Sequence, residues 1–217
     1  MEFLEKRHSV RSYEDKGIEE EKRAVLNGLI DEINKESGLN IQICYDEPEA
    51  FDTFMAHYGH FEGVKNYVAL IGKRGNDERI GYYGEKIVHK AQELGLNTCW
   101  VALTYGKSKA KITKNAGEKV YCVLALGYGK TQGVAHKNKD MAKVSNVSSE
   151  TPKWFADGVK ASLLAPTAMN QQKFKFTYKD GKVLATAGRG FYTKIDLGIA
   201  KYHFEIGANT PVEWVTK

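Results

Sequence analysis

Arg7-His8-Ser9-Val10-Arg11-Ser12-Tyr13, near the start of the chain, and Ala165-Pro166-Thr167-Ala168-Met169-Asn170-Gln171-Gln172, in its last third, decide how this sequence is read. The first groups two guanidinium groups, an imidazole and hydroxyls within seven residues. That donor set suits a phosphate or an electron-rich oxygen edge, because the planar fork of arginine gives two parallel charge-assisted hydrogen bonds. In the second, Pro166 stiffens a turn from which Thr167, Ala168 and Asn170 can present fixed groups to a flat polar ring. Met169 either packs on such a ring or fills core. The two segments make one site only in a fold that joins the ends of the chain.

Composition bounds the rest. A chain of 217 residues, 42% of them hydrophobic, can bury the core of one domain or two small ones. No apolar stretch approaches the ~20 residues of a membrane span, and Met1-Glu2-Phe3-Leu4-Glu5-Lys6 lacks the apolar region of an export signal. Cys44, Cys99 and Cys122 are widely spaced and odd in number, so neither a disulfide framework nor a zinc site is expected. A cytoplasmic location fits. The net charge of +5 gathers at Lys107, Lys109, Lys111, Lys114 and Lys119, then at Lys137, Lys139 and Lys143. Without aromatic interleaving these read as a solvated basic face and not as a nucleic-acid surface, though a few could neutralise one bound phosphate. His57 and His60 have metal-ligand spacing but no evident third ligand, so no metal is expected.

The hydrophobic periodicity alternates helix and strand. It predicts helices over Glu19–Lys35, Gly84–Leu94, Pro152–Leu164 and Ile195–Ile206, and strands over Ile41–Tyr45, Tyr67–Ile71, Thr98–Leu103, Val120–Leu126, Phe174–Tyr178 and Lys182–Thr186, the last two around a Lys179-Asp180-Gly181 turn. Residues 127–150 read as a polar connection. Setting Asn40 against Asn170 also pairs Gln42 with Gln172 and the first long helix with the Pro152–Leu164 helix, and Val68–Gly75 falls in order against Val183–Gly190. An internal duplication accounts for these pairings. The pattern alone also allows a parallel doubly wound fold. Gly127-Tyr128-Gly129-Lys130-Thr131 follows a strand but fails as a phosphate loop, since Leu124 stands where the first glycine is needed. There is no nucleophile elbow.

Residues 7–13 resemble the R-[RH]-S-x-R-x-[FY] opening of the FMN-dependent nitroreductase family, and residues 165–172 resemble its A-P-S-x-x-N-x-Q-P-W turn. Gly95-Leu96-Asn97-Thr98-Cys99-Trp100-Val101 is similar to the family's G-L-G-T-x-W-I segment, and Leu124-Ala125-Leu126-Gly127-Tyr128 to its late strand. The resemblance implies an α+β fold, a central mainly antiparallel sheet flanked by helices. In the family two protomers intertwine and each flavin takes the arginine motif of one and the proline turn of the other. Here the motifs are split between a first half, residues 1–144, and a shorter second half, residues 145–217. The resemblance therefore implies a single-chain pseudo-dimer that is monomeric and holds one FMN.

Carried over residue by residue, Arg7, His8, Ser9 and Arg11 would hold the phosphate or the ring's oxygen edge, with Lys137 and Lys139 near the phosphate. Pro166, Thr167, Ala168, Met169, Asn170 and Gln172 would face the ring, and the backbone of Trp100, Val101, Ala102 and Leu103 its reactive edge. The implied activity is reduction of FMN by NADH or NADPH, then of a nitroaromatic, quinone or similar acceptor, with no side chain named as acid or base. The alternative is a non-catalytic FMN-binding protein for storage or sensing.

Overall fold

The structure, a computed structural model, describes residues 2–215. Its elements run α1 (Glu2–Lys6), α2 (Glu20–Ser37), β1 (Gln42–Cys44), α3 (Phe54–Tyr58), β2 (Asn66–Lys73), α4 (Asp77–Glu93), β3 (Asn97–Val101), β4 (Glu118–Gly127), α5 (Met141–Val144), α6 (Lys153–Ser162), β5 (Phe174–Lys179), β6 (Lys182–Ala187) and α7 (Thr193–Ala208). They fall into two compact units. Residues 7–76 and 86–134 form a sheet unit; α1, residues 77–85 and the chain from Ala135 onward form a helical unit. This division follows packing, whereas the two halves proposed from the sequence follow the repeat.

In the sheet unit the strands lie in the order β1-β2-β4-β3, every neighbouring pair antiparallel. That pairing excludes the parallel doubly wound alternative. β2 is buried from Asn66 to Gly72 without alternation, the pattern of a strand covered on both faces. α2 buries Leu26, Ile30 and Ile33 and stops at Gly38, whose φ of 67° places its N–H on the Asn34 carbonyl. The N-terminal arm is bound into this unit by its backbone. Val10 N–H donates to Thr98 O (3.0 Å), Tyr13 N–H to Glu62 O (2.9 Å) and Glu14 N–H to Tyr128 O (2.8 Å). The Tyr13 ring is buried, and its hydroxyl donates to Val10 O at 2.7 Å.

The helical unit is built on the antiparallel β5–β6 hairpin. Asp180 and Gly181 both take positive φ (51° and 82°), as a two-residue hairpin turn matching the strand twist requires. Single bridges extend the hairpin on either side, Ser145 to Phe176 and Val183 to Trp214. α4 starts at Asp77, about two turns before the expected Gly84. Glycines in α4 and α7 serve close packing. A Cβ on Gly81 would stand 2.0 Å from Ile195 O, and one on Gly198 1.9 Å from Glu78 O, so α4 and α7 meet backbone to backbone. Between the same helices lies a fully buried pair, His203 Nε2 to Glu85 Oε1 at 2.8 Å, with His203 Nδ1 facing Ala161 O at 3.2 Å. Among the described residues no helix is long and apolar enough to cross a membrane.

Candidate functional site

In the sheet unit the arm brings its charged residues to one place. Ser9 pairs beside Thr98, which sets residues 7–11 along β3. Arg7 is buried, and Arg11 is exposed with its guanidinium 5.9 Å from the centre of the Phe61 ring. Cys99 on β3 marks where they converge. Burial pushes its thiol up from the ordinary value, while the Arg11 charge, a hydrogen bond from Ser9 and the Arg7 charge act the other way. His8 is covered from the far side. Gly133 has φ 72°, and a Cβ there would stand 2.7 Å from His8 Cβ and 2.9 Å from Ser9 O. Asn97 holds that covering loop, accepting from Gly129 N–H (2.9 Å) and donating to Gln132 Oε1 (3.0 Å). The glycines of the apparent phosphate loop also pack on the arm, a Cβ on Gly127 standing 3.1 Å from the Tyr13 ring and one on Gly129 2.8 Å from Val10 Cγ1. Val101 is buried at the end of β3, Trp100 and Ala102 are half-buried, and Leu103 is exposed beyond it.

The turn belongs to the helical unit. Half-buried Pro166 leads into Thr167, and Met169, Asn170 and Gln172 then take φ of 52°, 50° and 43°. Met169 is fully exposed. Gln172 is buried and organises the turn: its Oε1 accepts from Lys139 N–H (2.8 Å), its Nε2 lies 3.1 Å from Asn170 Oδ1 and 3.3 Å from Leu163 O, and its own N–H donates to Thr167 Oγ1 (3.1 Å). Asn170 Nδ2 donates to Lys137 O at 2.8 Å. Lys139 Nζ donates to the carbonyls of Gln171 (2.7 Å) and Gln172 (3.2 Å).

The structure therefore brings Lys137 and Lys139 to the turn, as a group with Asn170 and Gln172. It also divides their roles, since Lys139 holds the turn carbonyls through its ammonium while Lys137 meets the turn through its backbone carbonyl. Two residues to which the sequence reading gave no role complete the turn. Asp196, in the first turn of α7 and 2% exposed, accepts from Ala168 N–H through Oδ1 (3.0 Å) and from Gln171 Nε2 through Oδ2 (2.7 Å). Burial pushes its carboxyl up to about 6, against the pull of those two hydrogen bonds. Its only sequence signal is an acid inside the otherwise buried run Ile195–Ala200.

Asn40 and Gln42 make a related network in the sheet unit. Gln42 Nε2 donates to Asn40 Oδ1 (3.0 Å) and Thr113 O (2.6 Å), Asn40 Nδ2 reaches Thr113 O (3.3 Å) and Glu118 Oε2 (2.8 Å), and Thr113 N–H donates to Gln42 Oε1 (2.9 Å). These amides hold the 113–118 loop.

The model of a protein family described as "Putative TM nitroreductase" matches residues 1–208. The chain belongs to this nitroreductase family. Among solved structures, the family member is similar to a "putative nitroreductase" from Thermotoga maritima MSB8, at 22% identity over 95% of this chain and 82% of that one, with a TM-score of 0.66. A "putative nitroreductase in complex with FMN" from Desulfovibrio desulfuricans has 18% identity, coverage of 70% and 95%, and a TM-score of 0.53. A "putative NADH dehydrogenase/NAD(P)H nitroreductase" from Bacteroides thetaiotaomicron VPI-5482 has 19% identity, coverage of 66% and 94%, and a TM-score of 0.51. These likenesses are likenesses of fold. No curated protein matches this nitroreductase-family chain.

Proposed function

We propose that this chain is an FMN-dependent oxidoreductase that takes electrons from NADH or NADPH and passes them to a nitroaromatic, quinone or similar small acceptor. The observation that supports the reading best is the N-terminal arm, held along β3 by the Ser9–Thr98 bridge and by Val10 N–H donating to Thr98 O at 3.0 Å, with Arg7, Ser9 and Arg11 alternating along it. Two guanidinium groups and a hydroxyl fit a phosphate dianion or the electron-rich edge of an isoalloxazine ring. The nitroreductase family and the FMN in the Desulfovibrio desulfuricans relative favour the same ligand. His8 and the backbone at Trp100–Leu103 are assigned to that ligand with the arm, and Pro166–Asn170 and Gln172 with the turn. Of the two lysines, Lys137 suits the phosphate better, because the Lys139 ammonium is engaged by the turn. Bound FMN supplies hydride and electron transfer, and the protein supplies position and charge.

The internal repeat belongs to the same reading. With the short α3 between β1 and β2 set aside as an insertion, the order helix, strand, strand, helix of α2-β1-β2-α4 recurs in α6-β5-β6-α7, and both strand pairs are antiparallel. The Asn-x-Gln network recurs with it: in each copy the glutamine amide donates to its asparagine, both amides meet one loop carbonyl, and a loop N–H returns to the glutamine oxygen. Only one copy of each cofactor motif survives, so the chain takes one FMN.

Titrating apo-protein with FMN, followed by anaerobic addition of NADH or NADPH, tests the reading. One flavin per chain, bleached by a nicotinamide and reoxidised by a quinone, is the expected result. Absence of FMN binding overturns it; tight flavin that neither nicotinamide reduces points to the storage or sensing alternative. Arg11→Ala should weaken FMN by ~1.5–3 kcal/mol, the range for a hydrogen bond to a charged group. A double-mutant cycle with Asn170→Ala measures whether arm and turn act on the same flavin.

A further inference from the structure

The turn at residues 167–172 is held in a shape that its own residues disfavour. Met169, Asn170 and Gln172 all have positive φ, and none is glycine. Such strain persists only where the surroundings over-determine it. Met169 cannot supply the restraint, because its side chain is fully exposed. The restraint comes from both flanks of the strained pair Met169–Asn170. Ala168, on one side, gives its N–H to Asp196 Oδ1, and Gln171, on the other, gives its side-chain amide to Asp196 Oδ2. One buried carboxylate thus grips the residue before and the residue after the distortion.

The chemistry of that grip requires a double acceptor. Gln171 Nε2 donates not only to Asp196 but also to Phe191 O at 2.9 Å. An asparagine at position 196 offers one acceptor for two donors, so its NH2 must face either the Ala168 N–H or the Gln171 NH2, and the acceptor left for Ala168 is at best a neutral one. Rotating the Gln171 amide to correct this would set its oxygen against the Phe191 carbonyl. A neutral amide at 196 therefore leaves one pair mismatched, although it has the size of the carboxylate and escapes its desolvation cost. We propose that Asp196 is a positioning residue that clamps the 168–171 turn in its flavin-competent form, so that FMN affinity depends on it without contact. The flavin half of this proposal rests on the function proposed above.

Asp196→Asn tests it in the full chain. The expected result in apo-protein is amide exchange at Ala168 faster by about tenfold or more, the loss for a hydrogen bond to a charged acceptor, with exchange in β2 and β4 unchanged. FMN should bind about tenfold more weakly, and the spectrum of the residual complex should shift because the ring's surroundings have changed. Gln171→Met is the second variant should Asp196→Asn not fold; it removes one arm of the clamp, with Ala168 still protected and FMN weakened about threefold. Unchanged Ala168 exchange in Asp196→Asn, or unchanged FMN affinity in both variants, overturns the clamp. A wild-type chain that binds no FMN overturns the functional reading instead, and the exchange measurement still decides whether Asp196 holds the turn.

Discussion

Asn40 and Gln42 in the sheet unit and Asn170 and Gln172 in the helical unit form closely similar hydrogen-bond networks on different backbones. Gln42 lies in β1, paired regularly with Ala69, and its network braces a loop. Gln172 is buried, has a φ of 43°, and its network closes a turn whose tip, Met169, is fully exposed. Each region includes a carboxylate, but Glu118 in the first is half-buried and accepts from the Asn40 amide, whereas Asp196 in the second is fully buried and grips the turn through Ala168 N–H and the Gln171 amide. Amide pairs of this kind satisfy the backbone of a loop wherever they occur. Strain, exposure and a buried charge beside the second pair make it the candidate binding element.

The largest test of that difference is truncation of the two glutamines. Gln172→Ala leaves Lys139 N–H without its acceptor, removes one donor each from the Lys137 and Leu163 carbonyls and empties a buried site, and should cost about 3 kcal/mol of stability with loss of FMN binding. Gln42→Ala, in a half-buried network, should cost about 1 kcal/mol and leave FMN affinity as it was. Urea unfolding and flavin titration of both variants check this, and equal effects would erase the distinction.

The charge beside the turn predicts a pH dependence. The folded carboxyl of Asp196 is raised from 3.8 to about 6. Between those values the folded chain holds more of this proton than the unfolded chain, so this group's contribution to stability falls as pH rises from about 4 through 6. The change amounts to roughly 3 kcal/mol. Asp196→Asn is neutral throughout, so the difference in unfolding free energy between wild type and variant should shrink by that amount as pH rises across this window. Parallel pH curves would show that the carboxyl is not shifted.

The smallest effect concerns the strain itself. Met169→Gly removes no packing, relieves a left-handed non-glycine residue, and should raise stability by a few tenths to about 1 kcal/mol after the added freedom of the unfolded chain is offset. Thermal unfolding reads the gain. A loss would mean that the tip is not strained and that the two Asn-x-Gln regions differ only in exposure.

Much of this architecture was legible in residue order. The apolar spacing of α2 and the unbroken apolar run of β2 give their burial directly, and Asp180-Gly181 marks its hairpin, because these patterns report contacts within a few residues. The first two turns of α4 were not legible, because the expected helix rested on the apolar face Ile87, Val88, Ala91 and Leu94, and the role of Gly81 appears only where Ile195 approaches from another helix. The arm was legible in its chemistry but not in its attachment, since hydrogen bonds to Thr98, Glu62 and Tyr128 join positions far apart in the chain.

The sequence by itself determined the family motifs, the donor chemistry at Arg7–Arg11 and the order of helices and strands, because each depends on residue identity or short-range spacing. Only the tertiary structure decided that the arm carrying Arg7, Ser9 and Arg11 lies along β3, that the Lys139 ammonium and the Asn170 amide hold the turn's surroundings together, and that Asp196 grips the strained pair from both flanks. A buried polar group must find a partner wherever the fold supplies one, and no local pattern names a partner that lies dozens of residues away.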